Sequence, residues 1–236
     1  MSAWVRVLAG FAVLVVAALL LKQLPALAVL ALLVSGLAYT NAKLKPRDAK
    51  DSAAQEARAL GLERSGPEEV TRLPLVLLER GDDAVVTDVL TGTWSGLEAS
   101  AFRLSLRVTP PDGVRRERRL GCAIARLGSG GRALVVEPLA FLLPFSDGAP
   151  RPATEGIGAL EGSYAVRCDD PGFARSVLGG PILDRLARND AWGFELGDGW
   201  ALAYRPTERP AALDALEALR GFVDGLPSEL RPARSA

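Results

Sequence analysis

The chain has 236 residues, with 28 Lys plus Arg balanced by 28 Asp plus Glu and not one histidine. A zero balance supplies no basic field for nucleic acid, so none is expected as a partner. The missing histidine removes the commonest general base, the Ser–His and Cys–His nucleophiles and most mixed metal sites.

All the lysines (Lys22, Lys43, Lys45, Lys50) fall in the first fifty residues. Elsewhere arginine carries the positive charge. With abundant Ala, Gly and Pro, this usage points to a GC-rich bacterial genome. Cys122 and Cys168 form no CxxC and are too few for a four-cysteine zinc site. They are read as two buried apolar thiols in a reducing cytoplasm, with no metal or cofactor.

The first element is apolar. Val7–Leu21 is fifteen residues without a charge and Leu24–Thr40 is seventeen, separated by Lys22 and Gln23, with Pro25 the second residue of the later run. One helix through both runs is about 50 Å long, against a hydrocarbon core of about 30 Å. Pro25 also breaks it, because it lacks an N–H and crowds the preceding turn. A signal peptide cleaved after "ALA" at 26–28 is a rival reading, with Arg6 as its basic flank. It leaves Val29–Thr40 as an apolar stub too short to span.

A transmembrane hairpin over 1–41 uses every feature. Lys22-Gln23-Leu24-Pro25 forms the turn, and Lys43, Lys45, Arg47 and Lys50 follow the second span. The positive-inside rule then puts both termini in the cytoplasm, in a two-span protein of the cell membrane. Trp4, Arg6, Tyr39, Lys43 and Lys45 are the expected membrane-interface residues. Neither span contains an acid or a charge pair, which suits an anchor rather than a channel or pump.

Residues 42–61 change composition sharply. Ala49, Ala53, Ala57 and Leu60 recur at helical spacing, with Asp48 as N-cap and Gly61 as stop, which predicts a juxtamembrane helix or linker. A cytoplasmic domain is expected over 62–226 and a flexible tail over 227–236.

From Ala84 the texture is β. "AVVTDVLTGTW" ends at the turn pair Ser95-Gly96. Phe102, Leu104, Leu106 and Val108 then alternate with Arg103, Ser105 and Arg107, the period of a half-buried strand. "TPPDG" is a turn, "VRRERRLGCAIARL" a third strand and "RALVVEP" a fourth, so 84–138 reads as an antiparallel meander. Residues 139–158 read as a loop with one short helical turn and "ALEGSYAVRC" as a strand. "PGFARSVLGG" and "PILDRLARND" read as short helices, and "AWGFELGDGWALAYRP" as a hairpin turning at Asp198-Gly199. Leu213, Leu216, Leu219, Phe222 and Val223 share the face of a last helix, stopped by Gly225 and Pro227. The fold class is α+β: a mainly antiparallel sheet of about seven strands, a two-helix insertion and a C-terminal helix.

No motif carries chemistry. "GSGGR" lacks the P-loop spacing and "GIGALEG" the dinucleotide spacing. "GTWSG" sits in a hairpin turn with no histidine to activate its serine. The carboxylate pairs Asp82-Asp83 and Asp169-Asp170, and Glu137 at a strand end, are read as turn, cap and strand-end residues. No catalytic residue is assigned. The densest charge feature is Arg115, Arg116, Arg118 and Arg119 beside a hairpin tip. They are candidates for anionic lipid or an acidic partner, against the reading of a solvated strand whose charges discourage edge pairing.

The order "ARALGL", "LPLVLLERG", "DVLTGTWSGLEASAF", "RALVVEP", "LEGSYAVRCDDPGFARSVLGGPILDRLA" and "WGFELGDGWALAYRP" resembles an uncharacterised family of bacterial membrane proteins. The resemblance covers about residues 50 to 225. It implies an N-terminal transmembrane hairpin and a cytoplasmic domain of unknown function, and it defines no catalytic residues.

The leading expectation is therefore a membrane-anchored, non-enzymatic binding or scaffolding module. Its partners are the lipid bilayer and a membrane or cytoplasmic protein, with a homo-oligomer through the hairpin as a further possibility. The alternatives are a histidine-free enzyme using carboxylates or arginines on a membrane-borne or small acidic substrate, and a structural membrane oligomer. A cleft gathering Asp82, Asp83, Glu137, Asp169 and Asp170 favours the enzyme.

Overall fold

A computed structural model describes residues 54–80, 83–109, 115–128, 130–141, 150, 160, 162–188, 191–207 and 211–232. The chain divides after Ala53 into two units, and the second contains all of these. The expected hairpin over 1–41, with Trp4, Arg6, Tyr39, Lys43 and Lys45, lies outside the described residues. Among the described residues no helix is long and apolar enough to cross a membrane.

Helix α1 covers 54–60 and ends at Gly61, whose φ of +67° suits a residue without a side chain. The two-residue strand β1, Glu63–Arg64, follows, then a single turn of helix, α2, at Glu68–Thr71 and a 3-10 turn at Val76–Glu79. The meander is β2 (Ala84–Trp94), β3 (Leu97–Val108) and β4 (Arg116–Arg126). After it come β5 (Leu134–Pro138), a 3-10 turn at Leu139–Phe141, and β6 (Tyr164–Cys168). Helices α3 (Pro171–Val177) and α4 (Pro181–Ala187) lead to β7 (Gly193–Gly197), β8 (Trp200–Pro206) and α5 (Ala212–Gly225).

The strands form one antiparallel sheet in the order β1-β2-β3-β4-β8-β7-β5-β6. It has eight strands where about seven were expected, because β1 is too short to leave a sequence period. Ser95-Gly96 and Asp198-Gly199 make the tight β2–β3 and β7–β8 turns. Both residues of each pair have positive φ, the handedness that matches strand twist.

Alternation gives the sheet two different faces. Ala99, Ala101, Ala123, Ala125, Ala201 and Ala203 face one way, paired in register across β3, β4 and β8. Their small side chains let α5 lie close to the sheet, where Leu216, Leu219, Phe222 and Val223 are buried and Phe222 stacks on Phe194 at 4.4 Å. Helix α5 has no cap of its own. The Glu56 carboxylate, from α1, accepts a hydrogen bond from the Ala212 N–H at 2.6 Å, placing negative charge at the positive helix end. Past Leu226 the chain makes a turn at 228–230, and Leu230 is buried in this same core.

The opposite face carries the large residues Phe102, Leu104, Leu106, Leu120, Ile124 and Leu202. Among the described residues no long helix covers them. The segment 70–80 does so, burying Val70, Leu75 and Leu77. Cys122 belongs to this second core and Cys168 to the first. Both are free and buried, and they lie on opposite sides of the sheet.

Candidate functional site

Three charged residues are buried among the described residues, Arg80, Glu137 and Glu195, and all serve the second face. In β5, Leu134 and Val136 turn to the α5 side, so Val135 and Glu137 turn the other way. In β7, Phe194 and Leu196 do the same and leave Glu195 on the second face. Register sets Glu195 in a row that crosses all eight strands: Glu63, Thr91, Ser100, Ile124, Leu202, Glu195, Val135, Arg167.

Arg80 follows the 3-10 turn and reaches down to Glu137. Its Nη1 donates to Oε1 at 3.0 Å and its Nη2 to Oε2 at 2.8 Å, a two-pronged pair. Glu195 accepts hydrogen bonds from the backbone N–H groups of Val76 and Leu77, the latter at 3.0 Å. These are donors that a 3-10 turn leaves without partners inside the turn. Tyr204 lies opposite Gly193, and its ring occupies the place of a side chain there: a Cβ at 193 would sit 2.6 Å from the ring. The Tyr204 hydroxyl is buried with no hydrogen-bond partner among the described residues.

Burial dominates the electrostatics. It pushes the Glu195 carboxyl up to about 7, against the opposing pull of the Leu77 and Val76 N–H groups and of Arg80. Burial raises Glu137 as well, and the Arg80 hydrogen bond offsets part of that rise. For Arg80 burial acts downward, but Glu137, Tyr204 and Glu195 outweigh it and hold the guanidinium above its ordinary value. Burial also raises the Tyr204 hydroxyl and the Cys122 thiol. A carboxyl near neutrality beside a tyrosine is capable of proton transfer in principle. Here both oxygens of Glu195 are engaged by backbone and both oxygens of Glu137 by Arg80. The cluster is a clasp that pins 76–80 to the sheet.

The residues singled out from sequence are dispersed. Asp83 pairs with Arg107 at 2.9 Å. Asp170 caps α3, accepting from Gly172 N at 2.9 Å and Phe173 N at 3.1 Å, and pairs with Arg132 at 3.0 Å. The Phe173 N–H leads the interactions that hold the Asp170 carboxyl below its usual value. Asp169 is exposed, Glu137 is in the clasp, and Asp82 lies outside the described residues. Among the described residues no group of three or more His, Cys, Asp or Glu is arranged to hold a metal ion.

Arg115 precedes β4. Along β4, Arg116 and Arg118 sit opposite Val108 and Leu106 on the second face, while Arg119 turns to the α5 side and its Nε donates to Glu117 at 2.9 Å. The strand pleat thus divides the three arginines within β4 between two faces.

Sequence reasoning did not find Arg80, Glu195 or Tyr204. The available signal was a carboxylate inside "GFELG" and another inside "VVEP", each flanked by residues apolar enough for a strand buried on both sides.

No family model matches the chain, and no curated protein matches it. Among solved structures it is similar to the crystal structure of the mycobacterial trehalose monomycolate transport factor A, TtfA. The TM-score is 0.56 at 16% identity, over 78% of this chain and 96% of that one. At that identity the likeness shows a shared fold, an α+β domain built on a large antiparallel sheet.

Proposed function

We propose that this protein is a membrane-anchored, non-enzymatic accessory module, held by a two-span hairpin at the cytoplasmic face of a bacterial membrane, where it binds or scaffolds a protein partner. The observation that carries the non-enzymatic reading is the clasp. The buried charged residues Arg80, Glu137 and Glu195 hold the protein's own 76–80 segment. The anchor rests on the uncharged runs Val7–Leu21 and Leu24–Thr40 and the lysines that follow them. The resemblance to bacterial membrane proteins with a hairpin and a cytoplasmic domain agrees with both. The similar solved structure is named a transport factor, which fits an accessory part in moving something across or along a membrane.

Protease added outside intact cells tests the placement. The domain from 62 onward is expected to stay uncut until the membrane is permeabilised, and the protein to copurify from membranes with a consistent protein partner. Digestion in intact cells, or a mature chain starting near Val29, overturns the topology. Turnover of a small acidic substrate by the purified protein overturns the non-enzymatic reading.

A further inference from the structure

The second face of the sheet has a part that the clasp does not use. Just inside the Ser95-Gly96 and Asp198-Gly199 turns a groove of about 560 Å³ opens, within the size range of small-molecule sites. Its floor holds a pair of hydroxyls, Thr91 Oγ1 and Ser100 Oγ, 2.8 Å apart and opposite one another in register. Each keeps further hydrogen-bonding capacity. One wall is the half-buried indole of Trp200, opposite Arg126 on the neighbouring strand.

Carboxylates line the rest. Glu98 lies opposite Thr93, Glu63 lies opposite Thr91, and Glu69 comes from α2. None of these three acids, nor Arg126, has an ion-pair partner among the described residues. Other charges on the same sheet are matched: Arg103 with Asp88, Arg107 with Asp83, Arg205 with Asp214. The groove therefore presents an aromatic plane, hydroxyls, and uncommitted acceptors and donors in one concave place.

That set selects a ligand class. Three carboxylates against one guanidinium repel an anion, and among the described residues these acids are not grouped to hold a metal ion. A sugar ring suits both limits. Its C–H face is weakly positive and rests against the negative face of an indole. Its hydroxyls donate to carboxylates and accept from arginine.

We propose that this groove binds a neutral hexose sugar, stacked on Trp200 with its hydroxyls shared among Arg126, Glu98, Glu63 and the Thr91–Ser100 pair. The sugar is either a free saccharide or the headgroup of a glycolipid. The site stands independently of whether residues 1–41 cross a bilayer.

The test uses the full chain in a detergent without a sugar headgroup. Saturation-transfer NMR is recorded with maltose, and intrinsic tryptophan fluorescence is titrated with a dihexosyl diacylglycerol or with phosphatidylcholine carried in the same micelles. Transfer to maltose C–H protons identifies a free sugar as sufficient. A fluorescence change with the glycolipid and none with phosphatidylcholine identifies a membrane-borne headgroup. Arg126→Ala and Glu98→Gln, both at exposed positions, are expected to weaken either signal about tenfold. Trp200→Ala is expected to abolish it with the fold retained by circular dichroism. The control Arg103→Gln leaves it unchanged. No binding in either format overturns the site. So does binding that survives Arg126→Ala and Glu98→Gln together, or tighter binding of inorganic phosphate or calcium than of sugar.

Discussion

At the scale of residues, Glu195 makes stability depend on pH in an unusual direction. A carboxyl in the unfolded chain loses its proton near 4.5, whereas in the folded protein Glu195 keeps it up to about 7. Between those values the folded state binds more protons, so this group's contribution is complete below the unfolded value and is lost as pH rises through the folded one. Glu137 is shifted the same way. Chemical denaturation at pH 5.5 and at pH 8 is expected to show a weaker wild type at the higher pH. The Glu195 share is at most on the order of 3 kcal/mol. Glu195→Gln presents an amide to one of the two backbone N–H groups, so it is less stable at pH 5.5, and with no proton to lose its pH slope is shallower and the gap to wild type narrows at pH 8. A slope equal to that of wild type contradicts the burial of an ionising Glu195. The Arg80–Glu137 pair makes a separate case. Arg80→Met leaves a carboxylate buried without its counter-ion and is expected to cost about 3–5 kcal/mol. Adding Glu137→Leu removes the orphaned charge and recovers most of that loss. Additive losses in urea titrations contradict the coupling.

At the scale of elements, the thin α5-facing layer depends on six alanines. Ala123 is fully buried, between Ala101 on β3 and Ala203 on β8. Ala123→Leu forces a larger side chain beneath α5 and is expected to cost about 1–3 kcal/mol, read as a lower thermal midpoint with unchanged secondary structure. Ala125 lies in the same stripe and shows the same response, whereas exposed Ala84 tolerates leucine. An Ala123→Leu midpoint equal to that of wild type contradicts the close approach of α5. These elements explain what was legible in the sequence. The alternation of Phe102, Leu104, Leu106 and Val108, the Asp198-Gly199 turn and the apolar stripe of α5 are local patterns, and each element stands where its pattern placed it, although Leu213, counted in that stripe, is exposed in the first turn of α5. The covering of the second face was not legible. Segment 68–80 has one helical turn and one 3-10 turn, too short for a period, and its hold on the sheet runs through Arg80–Glu137 and Leu77–Glu195, contacts between residues 57 and 118 positions apart. The apolar flanks of "VVEP" and "GFELG" are the local sign that those glutamates are buried, but they name no partner. The arginines of β4 were visible as a cluster in one dimension, and the pleat separated them in three.

At the scale of the whole molecule, the described residues of both apolar cores all lie after Ala53. The first begins at Ala57 and ends at Leu230, and the second runs from Val70 to Tyr204. The cap from Glu56 to Ala212 ties α1 to α5 within the same unit. The stabilising contacts of the domain are therefore expected to survive removal of the first 53 residues. A chain of 54–236 should unfold cooperatively, with a thermal midpoint within a few degrees of the full chain, since it contains the described residues of both cores. The same cut separates the domain from the apolar runs. If those runs are the anchor, the full chain resists an alkaline carbonate wash of membranes while 54–236 appears in the soluble fraction. The two readouts divide the possible failures. A truncated chain that aggregates or melts without cooperativity shows that the domain needs its N-terminal unit to fold. A truncated chain that folds yet stays on membranes after the wash places the attachment in the domain itself, with the exposed arginines at 115, 116 and 119 the first to replace. Folding with release into solution is the result that a separate anchor and a self-sufficient α+β domain require.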